Sequence, residues 1–381
     1  MQTHKSSQKV ILPILFGFFV MGFVDVVGIA TNYVKADFQL SDTLANLLPM
    51  MVFLWFALFS IPAGIVMSQI GRRNTVAISL LVTMIAMLIP LFFYEFSFIL
   101  LAFALLGIGN TVLQVSLNPM IASVVNPDKI TSVLTLGQFI KAISSFLGPI
   151  IAATAASFWG DWKLIFIVYA LTSLLSLVWL ISIIPGKEET GKANATLVTT
   201  LSLFKDKYIV LLFLGILFIV GIDVGLNTTI PKLLMDKTGI TLNEAGLGIS
   251  LYFAARTIGS FVGAILLAKY AAGHFFRLSM FAAIAAFILL LIADVPWVMY
   301  AMIVAVGLTC ANVFSIIFSF ALRHKPERNN EISALMIMGV SGGALITPLM
   351  GIISDSFEQV AGLSLLLVCL IYLSVLSFKL N

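Results

Sequence analysis

The sequence predicts an all-α integral membrane protein with twelve transmembrane helices in two pseudo-symmetric six-helix bundles. Three observations carry that expectation. Of 381 residues, 61% are hydrophobic and 10% charged, against about 45–50% and about 25% in a soluble domain. Apolar runs of about 20 residues, the length a bilayer core requires, recur twelve times along the chain. The second half also repeats informative positions of the first. A soluble enzyme is excluded, because 21 Lys+Arg and 17 Asp+Glu cannot clothe a surface of this size. Disorder is excluded by the same figures.

Spans 1–6 cover 10–34, 44–68, 74–94, 97–125, 131–158 and 162–184. Spans 7–12 cover 207–234, 244–270, 274–293, 296–322, 331–354 and 358–379. The first run is too long for a signal-peptide core and has no small-residue cleavage site behind it, so it reads as a retained span. The connections are short, which leaves no room for an extramembrane catalytic domain. The longest, at the midpoint, divides the chain into an N-terminal bundle (1–185), a linker (186–206) and a C-terminal bundle (207–381). Prolines 49, 62, 119, 149 and 348 fall where they can kink helices.

Loop charge sets the orientation. Fifteen Lys and Arg, from Lys5 and Arg72 to Arg328 and Lys379, fall on one side. Four (Lys35, Lys163, Lys232, Lys237) fall on the other, and the remaining two of the 21 lie inside spans. The positive-inside rule places the richer side, and both termini, in the cytoplasm of a cell inner membrane. The Asn194 sequon then has no glycosylation role. No basic tract suits nucleic acid. Cys310 and Cys369 fit no metal spacing, no phosphate-binding loop occurs, and no cofactor is expected.

An offset of 198 residues brings Gly17 onto Gly215, Asp25-Val26 onto Asp223-Val224, Thr31 onto Thr229, Gly109 onto Gly307 and Gln114 onto Asn312. One further inserted residue aligns Gly64 with Gly263 and Pro149 with Pro348. The chain therefore reads as a duplicated six-helix unit. In transporters built this way the solute site lies near the midplane.

Asp25, Lys141, Asp223 and Arg256 lie deep in spans 1, 5, 7 and 8. Each costs about 2.5–3.5 kcal/mol at a helix centre, so they mark either mutual clamps or a polar site. The repeat-equivalent carboxylates Asp25 and Asp223 are the candidate proton-coupling groups, because all three histidines (His4, His274, His324) fall in the tail or loops. Helical spacing lines up Asn110, Gln114 and Asn118 in span 4, Gln138, Lys141 and Ser145 in span 5, and Asp223 and Asn227 in span 7. With Asn312, Trp55, Tyr252 and Arg256, these are the candidate substrate-binding residues. Amides donate and accept, which suits hydroxyl-rich ligands, and aromatic faces stack on sugars. Interhelical bonding or packing is the competing reading for each.

Thr111–Pro119 and Leu136-Gly137-Gln138-Phe139 through Gly148-Pro149 resemble spans 4 and 5 of the fucose–galactose–glucose:proton symporter branch of the major facilitator superfamily. Gly22-Phe23 to Phe38-Gln39-Leu40-Ser41, followed by Ile61-Pro62-Ala63-Gly64, is similar to its spans 1 and 2. The resemblance implies the major facilitator fold and alternating access, and places sugar contacts on spans 4 and 5. There are departures. The branch's Asn-Asp pair of span 1 is replaced around Val27-Gly28-Ile29, with Asp25 a turn earlier. Gln114 stands where fucose-type members carry glutamate, and Lys141 where asparagine is common. The loop signature keeps only Gly71-Arg72-Arg73.

The expected function is secondary active transport of a small polar solute, foremost a sugar, by proton symport. A sodium-coupled carrier, or an organic-anion carrier using Lys141 and Arg256, is the alternative. A membrane receptor and an integral-membrane transferase are the competing classes; the latter predicts a surface cluster of His and acidic residues that the sequence lacks. The working unit is expected to be a monomer in the lipid bilayer, and not an enzyme.

Overall fold

A computed structural model describes residues 2–40, 44, 47–184, 196–240, 242–357 and 359–380. The charged midpoint segment 186–195, with the Asn194 sequon, lies outside the described residues. Among those described, every regular element is helical, as backbone in hydrocarbon must be when no water is present to pair it. Among the described residues, eleven helices are long and apolar enough to cross a membrane.

Span 1 is α1 (Gln2–Met21), a 3-10 turn (Gly22–Asp25) and α2 (Val26–Asp37). Spans 2–6 are α3 (Leu47–Ile70), α4 (Arg72–Phe92), α5 (Phe96–Val124), α6 (Ile130–Trp159) and α7 (Leu164–Ile183). A short helix, α8 (Leu197–Ser202), precedes α9 (Lys207–Thr238), α10 (Leu242–Leu266) and α11 (Ala272–Ile292), which are spans 7–9. Span 10 is α12 (Pro296–Cys310) and α13 (Val313–His324). Span 11 is α14 (Asn329–Met338) and α15 (Gly342–Phe357), joined by a 3-10 turn at Gly339–Ser341, and span 12 is α16 (Gln359–Ser377).

The ends follow local chemistry. Thr196 caps α8 in a reciprocal box with Thr199. Asp206 accepts from the Tyr208 N–H to open α9, and Gly239, at φ 68°, closes it in the left-handed region. Gly71, at φ 84°, turns the chain from α3 into α4. That turn aims Arg73 at the end of α7, where Nε donates to the Ile184 carbonyl (2.6 Å) and Nη2 to Ile181 (3.0 Å). A cation on the last carbonyls of a helix meets its negative end. The helices continue through Pro62 and Pro119. The interruptions come instead at Gly22–Asp25, Ala311–Asn312 and Gly339–Ser341, none of which holds a proline.

The chain divides into two compact units. One comprises Met1–Pro127, Ile140–Leu203 and Lys325–Met338; the other comprises Asp128–Phe139, Phe204–His324 and Gly339–Asn381. In the first, α4 packs on α5 and α7, and α3 packs on α5. In the second, α11 packs on α12 and α16, and α10 packs on α12. The second set is the first moved on by six spans, so the repeat read from the sequence extends to the packing.

The first unit also contains α14. Ala334 abuts Gly64 on α3, Arg72 Nε donates to Asn330 Oδ1 (2.9 Å), and Ser333 Oγ donates to the Val115 carbonyl (2.7 Å). Arg328 grips Glu331 through two nitrogens (2.6 and 2.9 Å) and donates to the Thr199 carbonyl on α8 (2.5 Å). The bond to Glu331 raises the Arg328 pKa above its already high ordinary value. In the second unit, Thr131 lies 2.7 Å from the Ser319 hydroxyl, and Ser132 donates to the Ala264 carbonyl (2.6 Å).

Glycine permits the closest approaches. A Cβ on Gly107 would stand 2.5 Å from the Val52 carbonyl oxygen, whereas one on Gly28 would meet nothing within 4 Å. Gly107→Val is expected to cost about 1–3 kcal/mol through overpacking and to lower the unfolding midpoint in detergent by several degrees. Gly28→Ala is expected to hold or raise it, since alanine favours the helix by about 1 kcal/mol. Differential scanning fluorimetry of the two variants checks both.

Candidate functional site

The first unit's polar centre grows from the interruption of span 1. Breaking the ladder at Gly22–Asp25 releases backbone groups where water is scarce, so side chains must pair them. Asn110 on α5 donates its Nδ2 to the Met21 carbonyl (2.7 Å). Its Oδ1 accepts from Gln114 Nε2 (2.7 Å), and Asn118 Nδ2 donates to the Gln114 carbonyl (2.8 Å). All three amides are buried, and Asn118 Oδ1 has no partner among the described residues. Trp55 packs against Gly107, and its Nε1 is likewise buried without a partner among the described residues.

The turn itself is wedged against α6 and α7. A Cβ on Gly22 would lie 2.6 Å from the Lys141 carbonyl oxygen and 2.9 Å from Ser144 Oγ. Phe23 stacks on Tyr169 with centroids 3.8 Å apart. Asp25 ends the turn as an exposed carboxylate, and its Oδ2 is hydrogen-bonded to Ser145 Oγ. The same Oγ lies 3.0 Å from the Lys141 carbonyl. The Ser145 hydroxyl is thus shared between the Asp25 carboxylate and the carbonyl one turn back in its own helix. No carboxylate of a described residue pairs with Lys141 Nζ.

The second unit treats its equivalent carboxylate differently. Asp223 Oδ2 meets Arg256 Nη1 at 2.6 Å, and its Oδ1 accepts from the Tyr252 hydroxyl at 2.6 Å. Tyr252 and Arg256 sit four residues apart on α10, which brings both to one face. Asn227 lies one turn beyond Asp223 and is half-buried. Asn312 occupies the interruption of span 10, where its Nδ2 donates to the Gly259 carbonyl (3.0 Å) and its Oδ1 has no partner among the described residues. Gln138 is half-buried on the part of α6 that belongs to this unit.

The candidates thus divide between the units: Asp25, Lys141, Asn110, Gln114, Asn118 and Trp55 belong to the first, and Asp223, Tyr252, Arg256, Asn227, Asn312 and Gln138 to the second. Among the described residues no His, Cys, Asp and Glu group can hold a metal ion.

Residues 14–348 match the sequence profile of the Major Facilitator Superfamily. The chain belongs to that superfamily. As a major facilitator it is a multi-pass membrane transporter and not an enzyme. A glucose/galactose transporter of Brucella abortus is 24% identical over 98% of this chain and 95% of its own. The E. coli fucose:proton symporter superposes with a TM-score of 0.83 at 15% identity, covering 97% of this chain and 98% of that one. A bacterial homologue of the iron transporter ferroportin superposes with 0.79 at 15% identity, covering 98% of each. These structural likenesses carry the fold. The relatives agree with the branch resemblance of spans 1, 2, 4 and 5.

Sequence reasoning did not single out Tyr169 or the 3-10 turn. The signals available were Gly22, three residues before Asp25, and Gly148, where a Cβ would lie 2.7 Å from the Tyr169 hydroxyl.

The Asp223–Arg256 pair yields a stability test. Removing one partner strands a part-buried charge, so Asp223→Asn or Arg256→Gln alone is expected to cost on the order of 3 kcal/mol. The double variant is expected to recover most of that. Thermal unfolding of the three proteins in one detergent forms the cycle, and equal losses in all three would contradict it.

Proposed function

We propose that this major facilitator is a hexose:proton symporter of the cytoplasmic (inner) membrane, working as a monomer by alternating access with both termini in the cytoplasm. In this reading residues 1–185 and 207–381 are the two moving bundles, joined by the linker at 186–206. The observation that carries it is the contrast between the equivalent aspartates. Asp25 is exposed and accepts from the Ser145 hydroxyl, with no cation paired to it among the described residues, whereas Asp223 is held by a guanidinium and a phenol. Asp25 is therefore the proton carrier, and Asp223 is the anchor of an ion pair. The names of the relatives, a glucose/galactose transporter and a fucose:proton symporter, support the substrate class.

The amides support a neutral, hydroxyl-rich solute. Each of Asn110, Asn118 and Asn312 commits a donor to a backbone carbonyl, and the oxygens of Asn118 and Asn312 remain open. Acceptors of that kind suit sugar hydroxyls and repel carboxylates. Gln114, Gln138, Asn227, Trp55 and Tyr252 complete the proposed sugar contacts. Lys141, with no carboxylate partner, favours a second reading as a carrier of sugar acids, in which it and Arg256 would bind the anion.

Proteoliposomes loaded at neutral pH and diluted into acidic buffer test the proposal with labelled D-galactose, D-glucose, L-fucose and D-glucuronate. Uphill uptake of a neutral hexose that collapses with a protonophore is expected. Asp25→Asn is expected to lose accumulation at least tenfold while keeping exchange, and Asp223→Asn is expected to retain a proton-dependent flux. Uptake confined to glucuronate would establish the anion reading. Sodium-dependent uptake without a pH gradient would exclude proton coupling.

A further inference from the structure

The residue of span 1 that the fold does not explain is Gly28. Glycine weakens a helix interior relative to alanine, so a glycine inside a span calls for a reason. The usual reasons are missing. Gly28 lies within α2 and is not one of the positive-φ glycines. Nor does it permit close packing. A Cβ there would meet nothing within 4 Å, whereas one on Gly22 or Gly107 would collide with a neighbouring carbonyl oxygen. The remaining use of a bare backbone is to let a ligand approach it closely.

The face it stands on has the chemistry of a water-lined surface. Among the described positions from 22 to 35, Asp25 and Gly28 are the exposed ones, and a separation of three residues sets them side by side. Asn32 and Lys35 continue the same register in the sequence. Val26, Val27, Ala30 and Val34 are buried. A lipid-facing surface in this unit is different. Between Ile167 and Trp179 the exposed residues of α7 are all large and apolar. An exposed carboxylate beside a bare glycine is costly against lipid and suits water and a polar solute. The second unit has no counterpart, since the residue three beyond Asp223 is Leu226, which is buried.

We propose that Gly28 is a specificity-determining position: its bare backbone is a ledge on which one face of a pyranose ring lies, and the lack of a side chain there sets the bulk of solute that is accepted. This rests on the reading of the protein as a hexose carrier. A pyranose has flat C–H faces and a rim of hydroxyls. A C–H face suits the Cα and backbone edge of Gly28, and the rim then reaches the neighbouring carboxylate, which accepts from hydroxyls. A side chain at this position takes the place of the ring. It disturbs no protein contact, because none is made there. Bulk at position 28 therefore opposes the solute and leaves the fold intact, a combination that a packing glycine such as Gly107 does not give.

The test combines a size series with a thiol probe, using labelled D-galactose, D-glucose and L-fucose in proteoliposome counterflow. Gly28→Leu is expected to raise the half-saturating sugar concentration at least about tenfold, and Gly28→Ala to raise it by less. Both variants are expected to unfold at or above the wild-type temperature. An unchanged half-saturating concentration in Gly28→Leu overturns the proposal. So does a lowered unfolding temperature in that variant, which would show a packed position. Gly28→Cys gives an independent measurement, because Cys310 and Cys369 are buried. Its thiol is expected to react with a charged, membrane-impermeant methanethiosulfonate, and a transported sugar is expected to slow that reaction several-fold. Reaction only with a lipid-soluble maleimide would place Gly28 against lipid and overturn the proposal. Reaction that no transported sugar slows would place it in water away from the solute, with the same result. Wild-type counterflow of at least one sugar, with any of these failures, removes the ledge alone. Absence of counterflow for all three sugars in the wild type removes the hexose reading and the ledge with it.

Discussion

The hydrogen bond from Asn110 to the Met21 carbonyl is the contact on which the first unit's polar centre depends. A span interrupted inside hydrocarbon leaves backbone groups that nothing in a bilayer can pair. The amide on α5 meets one of them and is itself steadied by Gln114. With that carbonyl satisfied, Gly22–Asp25 can leave the α-helical path and settle against α6 and α7. Asp25 is thereby presented outward at the end of a turn and not packed along a helix face. Asn312 performs the corresponding service at the interruption of span 10, where it reaches the Gly259 carbonyl.

How much of this the sequence disclosed depends on what each feature requires. Spans are legible because a bilayer demands a run of fixed length, and their repeat is legible because Asp25 and Asp223 are rare residue types at one offset. The pairing of Asp223 with Arg256 was accessible from charge balance, since four deep charges sum to zero. The matching pair of Asp25 with Lys141 was equally consistent with that arithmetic and is not what the structure contains. Asp25 is bonded to Ser145 instead, a contact that composition and spacing do not encode. The interruptions were also hidden. Proline is the usual indication of a break, yet the chain is helical through Pro62 and Pro119 and departs at glycine and at Asn312, whose neighbours alone decide the geometry.

The loop between spans 2 and 3 shows a residual motif retaining a physical purpose. Of the usual loop pattern only Gly71-Arg72-Arg73 survives. Gly71 supplies a backbone angle other residues resist, Arg73 closes the end of α7, and Arg72 reaches Asn330 on α14. The same short helix is fixed again by Ser333 and by the fit of Ala334 on Gly64. Small residues and side chain to backbone bonds carry these contacts, as expected where lipid offers no hydrophobic drive for helix association.

The fixed ion pair of Asp223 has an energetic consequence. If one of two equivalent carboxylates is permanently neutralised, a transport cycle carries a single positive charge with each neutral solute and becomes electrogenic. Moving one charge through 100 mV is worth about 2.3 kcal/mol, which corresponds to a concentration ratio of roughly fifty. Under the proposed proton symport, the arginine in span 8 thereby sets how steeply a solute is concentrated for each 100 mV. Freeing the second aspartate would roughly square that ratio, at the cost of a second proton for every molecule taken in.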